Sequence, residues 1–167
     1  MSFAQLFSIL GAVIAGVILD SNKLTITAIA GSFVLLPAIF DLSSSVGASL
    51  SAKINHKIED QPSRVVNLLI KNTLFAFFIG ILSGLIVSIV GASITSIFFE
   101  ADFIKVLLLG VGSIAISTAC GFPIVGILSI ILQKKGVNPD DVIGPIETAI
   151  FYILAVISMS FIAGALL

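Results

Sequence analysis

The sequence predicts an all-α integral membrane fold with five transmembrane helices. Three observations carry that prediction. Of the 167 residues, 58% are hydrophobic and only 10% are charged, where a soluble domain carries about 25% charge. The apolar residues fall in continuous blocks close to the roughly 20 residues that cross about 30 Å of hydrocarbon. The basic residues gather in alternate connections, as they do when successive spans reverse direction. Net charge is −1 and no basic patch interleaved with aromatics occurs. Membrane lipid is therefore an expected partner and nucleic acid is not.

Taken in order, the blocks make a single transmembrane domain over 1–167. The first span is expected at about 3–19, closed by Asp20-Ser21-Asn22-Lys23. Met1 to Leu19 holds no charge, so it lacks the basic start of a signal peptide and reads as a span. The second is expected at 24–41, ending at Asp41 and a serine cluster. A polar connection, 43–71, follows. In it Val46, Leu50, Ile54 and Ile58 are spaced by four, the signature of a helix with one apolar stripe. That helix either continues the second span or lies in the interface, and Pro62 is its expected break. The third, fourth and fifth spans are expected at 72–99, 106–132 and 142–166. Glu100-Ala101-Asp102 closes the third and Gln133-Lys134-Lys135-Gly136 the fourth. Continuous apolar runs, without period-2 alternation, argue for helices over an outer-membrane barrel.

Five spans put Lys53, Lys57, Arg64 and Lys71 on the same side as Lys134 and Lys135, with only Lys23 and Lys105 opposite. Positive residues stay inside. The expectation is a multi-pass protein of the cell membrane, N-terminus cytoplasmic and C-terminus outside. Small residues crowd the third block (Gly80, Gly84, Ser88, Gly91) and the fourth (Gly110 to Gly121). Such surfaces let helix backbones approach closely, within the chain or at a subunit contact or pore wall. Gly121-Phe122-Pro123 is expected to kink or loosen the fourth helix.

No enzyme is expected. No GxSxG or P-loop occurs, and no histidine lies in an apolar block to activate a serine. His56, the only histidine, reads as a solvated residue of the polar connection. Cys120, the only cysteine, can form neither an internal disulfide nor a CxxC site, and reads as a buried, inert thiol.

Two acids stand out by position. Asp41 precedes Leu42-Ser43-Ser44-Ser45-Val46-Gly47 and follows Pro37. Glu147 sits in Gly144-Pro145-Ile146-Glu147-Thr148. Each is either a helix-end residue at headgroup level or an intramembrane carboxylate, which is costly and faces a cavity or partner. Both segments combine an acid and hydroxyls with Pro and Gly, and transporters bind ions at broken helices of that kind. Carboxylates, hydroxyls and retained waters suit a hard cation such as Mg²⁺. Soft ligands are nearly absent from the blocks, which argues against a copper or zinc carrier. The candidate metal ligands are Asp41, Ser44, Ser45, Glu147 and Thr148.

At these two segments the sequence resembles the membrane domain of the MgtE family of magnesium transporters. Leu36-Pro37-Ala38-Ile39-Phe40-Asp41-Leu42 is similar to the family's first motif, a Pro-led segment running into a Gly-Asn element. Gly136-Val137-Asn138-Pro139-Asp140-Asp141-Val142 through Pro145 is similar to the second. The resemblance implies a single five-span half that pairs with a second copy or a homologous half, with Mg²⁺ as the transported ion passing along the dimer interface. It also implies that Thr148 occupies a position whose carbonyl faces the ion path. Ser44-Ser45 replaces the Gly-Asn element, and Tyr152 stands where the family places a pore aspartate. Two readings follow. Asp41 and Glu147 form a rearranged site in a divalent cation transporter or channel subunit. Alternatively, the chain is a non-conducting or partner half of a heterodimeric transporter.

Overall fold

The computed structural model describes residues 3–60, 65–137 and 139–167. The expected break at Pro62, the basic Arg64 and Asn138 of the second motif lie outside the described residues. Those residues are helical apart from short connections and hold no strand. Helix α1 is Phe3–Ser21 and α2 is the single-turn Lys23–Thr27. A 3-10 turn at Ser32–Val34 leads into α3, Leu35–Asp60. Then come α4, Val65–Phe99; α5, Phe103–Lys134; and α6, Pro139–Leu166. The last four are long and apolar enough to cross a membrane, while α1 contributes a shorter apolar helix, Gln5–Ser21.

The second helix departs from its expected bounds. The block 24–41 is not one helix: it breaks at 28–34 and restarts at Leu35. Gly31 explains the break. Its φ of 73° is a left-handed conformation that costs glycine nothing. A Cβ there would lie 2.6 Å from the Cβ of Thr95. The hydroxyl of Ser32 donates to the Ile26 carbonyl at 2.8 Å, closing the turn. Pro37 falls in the first turn of α3, where its missing N–H costs no hydrogen bond. Consequently α3 runs unbroken through Asp41, the serines and Gly47. The stretch 43–60 of the expected polar connection belongs to this helix, so the apolar stripe continues the second span. Leu50 and Ile54 on it are buried. Likewise α6 is continuous through Gly144-Pro145, and α5 through Pro123.

Directions follow from which residues meet. Gly11 of α1 abuts Ala149 of α6, and Gly164 of α6 faces Thr25 just past α1, so the first and last spans are parallel. Helix α3 runs antiparallel to α6, because Phe40 stacks on Tyr152 while Gly47 seats Phe151. It runs parallel to α5: Ser43 meets Ser117 at 3.4 Å and Ser51 meets Ser129 at 3.0 Å. Two apolar clusters fill the bundle. One gathers Ile26, Leu35, Ile39, Leu109, Ile114 and Met159. The other gathers Leu50, Ile54, Phe122, Val125, Ile143 and Phe151.

The small residues serve packing inside the chain. A Cβ at Gly84 would lie 2.7 Å from Ile114 Cγ2, and one at Gly110 would strike Ser88. The ring of Phe151 is seated against both Gly47 and Gly121, and meets Phe122 edge-on at 5.5 Å. Outward, α4 presents Leu74, Phe78, Leu82, Ile86 and Val90, the lipid-facing apolar surface that a span requires. Cys120 corrects an expectation. It is exposed, because Ala119 and Cys120 lie on the α5 face turned away from the two clusters.

Candidate functional site

The first candidate segment lies inside the apolar stretch Ser32–His56. Asp41 is about 9 Å along the helix axis from Leu35 and about 18 Å from Lys53, at 1.5 Å rise per residue. Its side chain is exposed on the outside of the protomer. So are Ser45, Ser49 and Lys53, each one further step of four along α3. Residues four apart share a helix face, so this face forms one polar stripe down a transmembrane helix. Between its polar members the face carries only small residues, Ala48 and Ala52. Ser44 is half-buried beside the stripe, and its hydroxyl donates to the Asp41 carbonyl at 3.2 Å. Ser43 points inward and is fully buried against Ser117.

The second segment faces the other way. Glu147 is 2% exposed. It falls midway between Ile143 and Phe151 on α6, the side that packs against α3 and α5. Its Oε2 has no hydrogen-bond partner among the described residues, and Lys23–Asp20 is the only ion pair among them. A buried carboxylate without a cation or donor is costly in a membrane interior. Thr148 is turned toward α1. Its hydroxyl donates to the Gly144 carbonyl at 2.9 Å, and it lines a surface groove with Gln5, Ser8, Ile9 and Pro145.

The five candidates therefore do not converge in one protomer. Asp41, Ser44 and Ser45 share the outer side of α3, Glu147 is in the interior, and Thr148 is at the α1–α6 seam. Tyr152 lies level with Asp41's neighbour Phe40, and the two rings stack with centroids 4.5 Å apart. Among the described residues no group of three or more His, Cys, Asp and Glu side chains could hold a metal ion. The outer side of α3 can still present oxygen ligands and waters to a hard cation along an aqueous seam, which is how Mg²⁺ is commonly held.

Ser49 and Lys53 were not singled out from the sequence, although the signal was present. The apolar series Val46, Leu50, Ile54 has a polar counterpart one residue earlier, at 45, 49 and 53. That counterpart lies about 100° around the same helix, on the face beside the apolar stripe. Elsewhere, the Asp20 carboxylate at 2.8 Å raises the pKa of Lys23 above its ordinary value. That pair sits at the α1–α2 corner, away from the stripe.

A family model described as MgtE, divalent cation transporter, matches residues 36–162. The match begins at the second residue of α3 and runs into the last turns of α6, taking in both candidate segments. No curated protein and no solved structure matches the chain.

Proposed function

The chain belongs to the MgtE family of divalent cation transporters, and from that premise we propose that it carries Mg²⁺ along the outer side of α3, between this chain and a second copy or a homologous half. The supporting observation is Asp41: a carboxylate exposed on the surface of the chain inside the apolar stretch Ser32–His56. Facing lipid, such a group costs at least about 2.5–3.5 kcal/mol. A second unit that encloses a hydrated seam removes that cost and turns the carboxylate toward water and ions. Asp41, Ser44 and Ser45 then supply oxygen ligands to a partly hydrated Mg²⁺, with the small residues Ala48 and Ala52 leaving room for its waters.

Glu147 and Thr148 form a second tier toward the basic end. Glu147 has an unused acceptor oxygen, but a shift of α6 against α3 must open its pocket before an ion reaches it. The basic residues at that end, Lys53, Lys71, Lys134 and Lys135, orient the N-terminus to the cytoplasm and the C-terminus outside.

Tyr152 supports a second reading. Its ring is packed against Phe40 at the place where the family carries an acid, so this half on its own offers one carboxylate fewer. Here the chain is the partner half of a heterodimer.

The two readings separate in proteoliposomes holding this chain alone and an internal Mg²⁺ indicator. Uptake that Asp41→Asn removes supports the homodimeric path. No uptake from folded protein, restored by adding a homologous half with the acid at the Tyr152 position, supports the heterodimer. Uptake unaffected by Asp41→Asn overturns the assigned path.

A further inference from the structure

Beside the polar stripe, between α3 and α4, runs a groove of about 270 Å³. Its two ends differ chemically. Lys53, Ser49 and Asn72 stand at one end, Leu50, Phe75 and Ile79 line the body, and Ser45 of the polar stripe borders the far end. The polar end lies where the apolar stretch Ser32–His56 runs out and soon after α4's stretch begins at Val66, which is headgroup level.

Lys53 is exposed, and its ammonium lies 4.9 Å from the Phe75 ring centroid. That contact holds the charge at the groove's mouth. No carboxylate among the described residues pairs with it. Asn72 donates one amide hydrogen to the Leu68 carbonyl at 2.8 Å, which leaves the second. Lys71 adds an exposed positive charge at the same end. A cationic mouth with spare donors above an apolar channel matches the two halves of an anionic amphiphile. Basic pockets between transmembrane helices bind anionic lipid headgroups in this manner.

We propose that the α3–α4 groove binds one anionic phospholipid from the surrounding bilayer, its phosphate at Lys53 and an acyl chain along Leu50, Phe75 and Ile79. The lipid is a resident beside the ion path and not its cargo. The site stands independently of which ion the protein carries.

The test is native mass spectrometry of the full-length protein released from nanodiscs that hold equal phosphatidylglycerol and phosphatidylcholine. The expected result is one phosphatidylglycerol retained per chain, with about fivefold preference, the worth of one lysine near an anionic surface. Lys53→Ala is expected to bring the preference to parity and Lys53→Arg to keep it. Ser49→Leu, which fills the mouth without touching the charge, is expected to lower retention of both lipids. Excess inorganic phosphate is expected to leave the lipid in place. Equal retention by the parent, a preference that survives Lys53→Ala, or displacement by phosphate overturns the proposal. So does efficient cross-linking of Phe75→Cys, on the α4 wall of the groove and off the stripe, between two copies in a Cys120→Ser background, because a second copy then fills the groove.

Discussion

Asp41 and Glu147 lie within the apolar stretches Ser32–His56 and Val142–Leu166, and they occupy opposite environments. Asp41 lies on the outside of α3, at the head of a polar stripe, exposed and flanked by serines. Glu147 lies on the inside of α6, between Ile143 and Phe151, with an oxygen that none of the described residues answers. Their local sequences look alike, each an acid with hydroxyls, a proline and a glycine. The helix face decides the difference. Asp41 opens a series of polar residues four apart, while Glu147 falls in step with apolar residues four before and four after it. A carboxylate on a polar face is available to an ion as it stands. One on an apolar face is available only after the packing moves.

That contrast yields predictions, the largest first. Removing the charge at the outer position is expected to reduce Mg²⁺ flux in proteoliposomes tenfold or more. A charged ligand contributes about 1.5–3 kcal/mol. Asp41→Asn is also expected to leave the thermal midpoint nearly unchanged, because the side chain is exposed. A large loss of stability would make Asp41 a structural residue and erase the contrast.

Next is the seat of Phe151. Gly121→Ala places a methyl group into that ring, and overpacking costs about 1–3 kcal/mol. The midpoint of thermal unfolding in detergent is expected to fall, and to fall more than for Gly144→Ala, where no neighbour lies within 4 Å. Equal effects would mean that the inner face is looser than its contacts indicate.

Glu147→Met probes the same interior from the other direction. It replaces an unanswered carboxylate by an apolar chain of similar length. Stability is expected to rise by about 1–3 kcal/mol, the cost of an unsatisfied buried group. Flux is expected to fall less than in the Asp41 variant. A drop in stability would show that Glu147 is held by a ligand or water in the folded protein. The smallest expected effect is that of Ser129→Ala, which removes the 3.0 Å bond to Ser51. Hydrogen bonds between membrane helices average about 0.6 kcal/mol, so a small shift in the same assay is expected.

The helical membrane fold was legible because lipid forbids unsatisfied backbone, and continuous apolar blocks therefore become helices. Helices α4 and α5 end at Phe99 and Lys134, beside the charged and polar runs that the sequence places there. The second span was not legible. Composition sees Leu24 to Phe40 as one apolar run, but Gly31 and its contact with Thr95 break it. That contact is with α4, far along the chain, and local sequence does not carry it. Pro37 was legible as a helix signal with its sense reversed: it starts α3 and does not interrupt it. Asp41 and the serines were found by residue type. The separation of Asp41 from Glu147 was not, since it depends on how α6 rotates against α3. The Phe151 ring, seated on Gly47 and Gly121, sets that rotation.

The central claim is that the polar stripe of α3 lines a hydrated path and does not face lipid. It is tested most directly by thiol labelling in native membranes, in a Cys120→Ser background. Ser45→Cys on the stripe is compared with Ile86→Cys on the lipid-facing side of α4, where Ile86 is 64% exposed. A membrane-impermeant, positively charged thiol reagent is expected to modify position 45 and to be slowed by Mg²⁺, while position 86 stays unlabelled. Labelling that is absent at both positions, or equal at both and indifferent to Mg²⁺, would contradict the account.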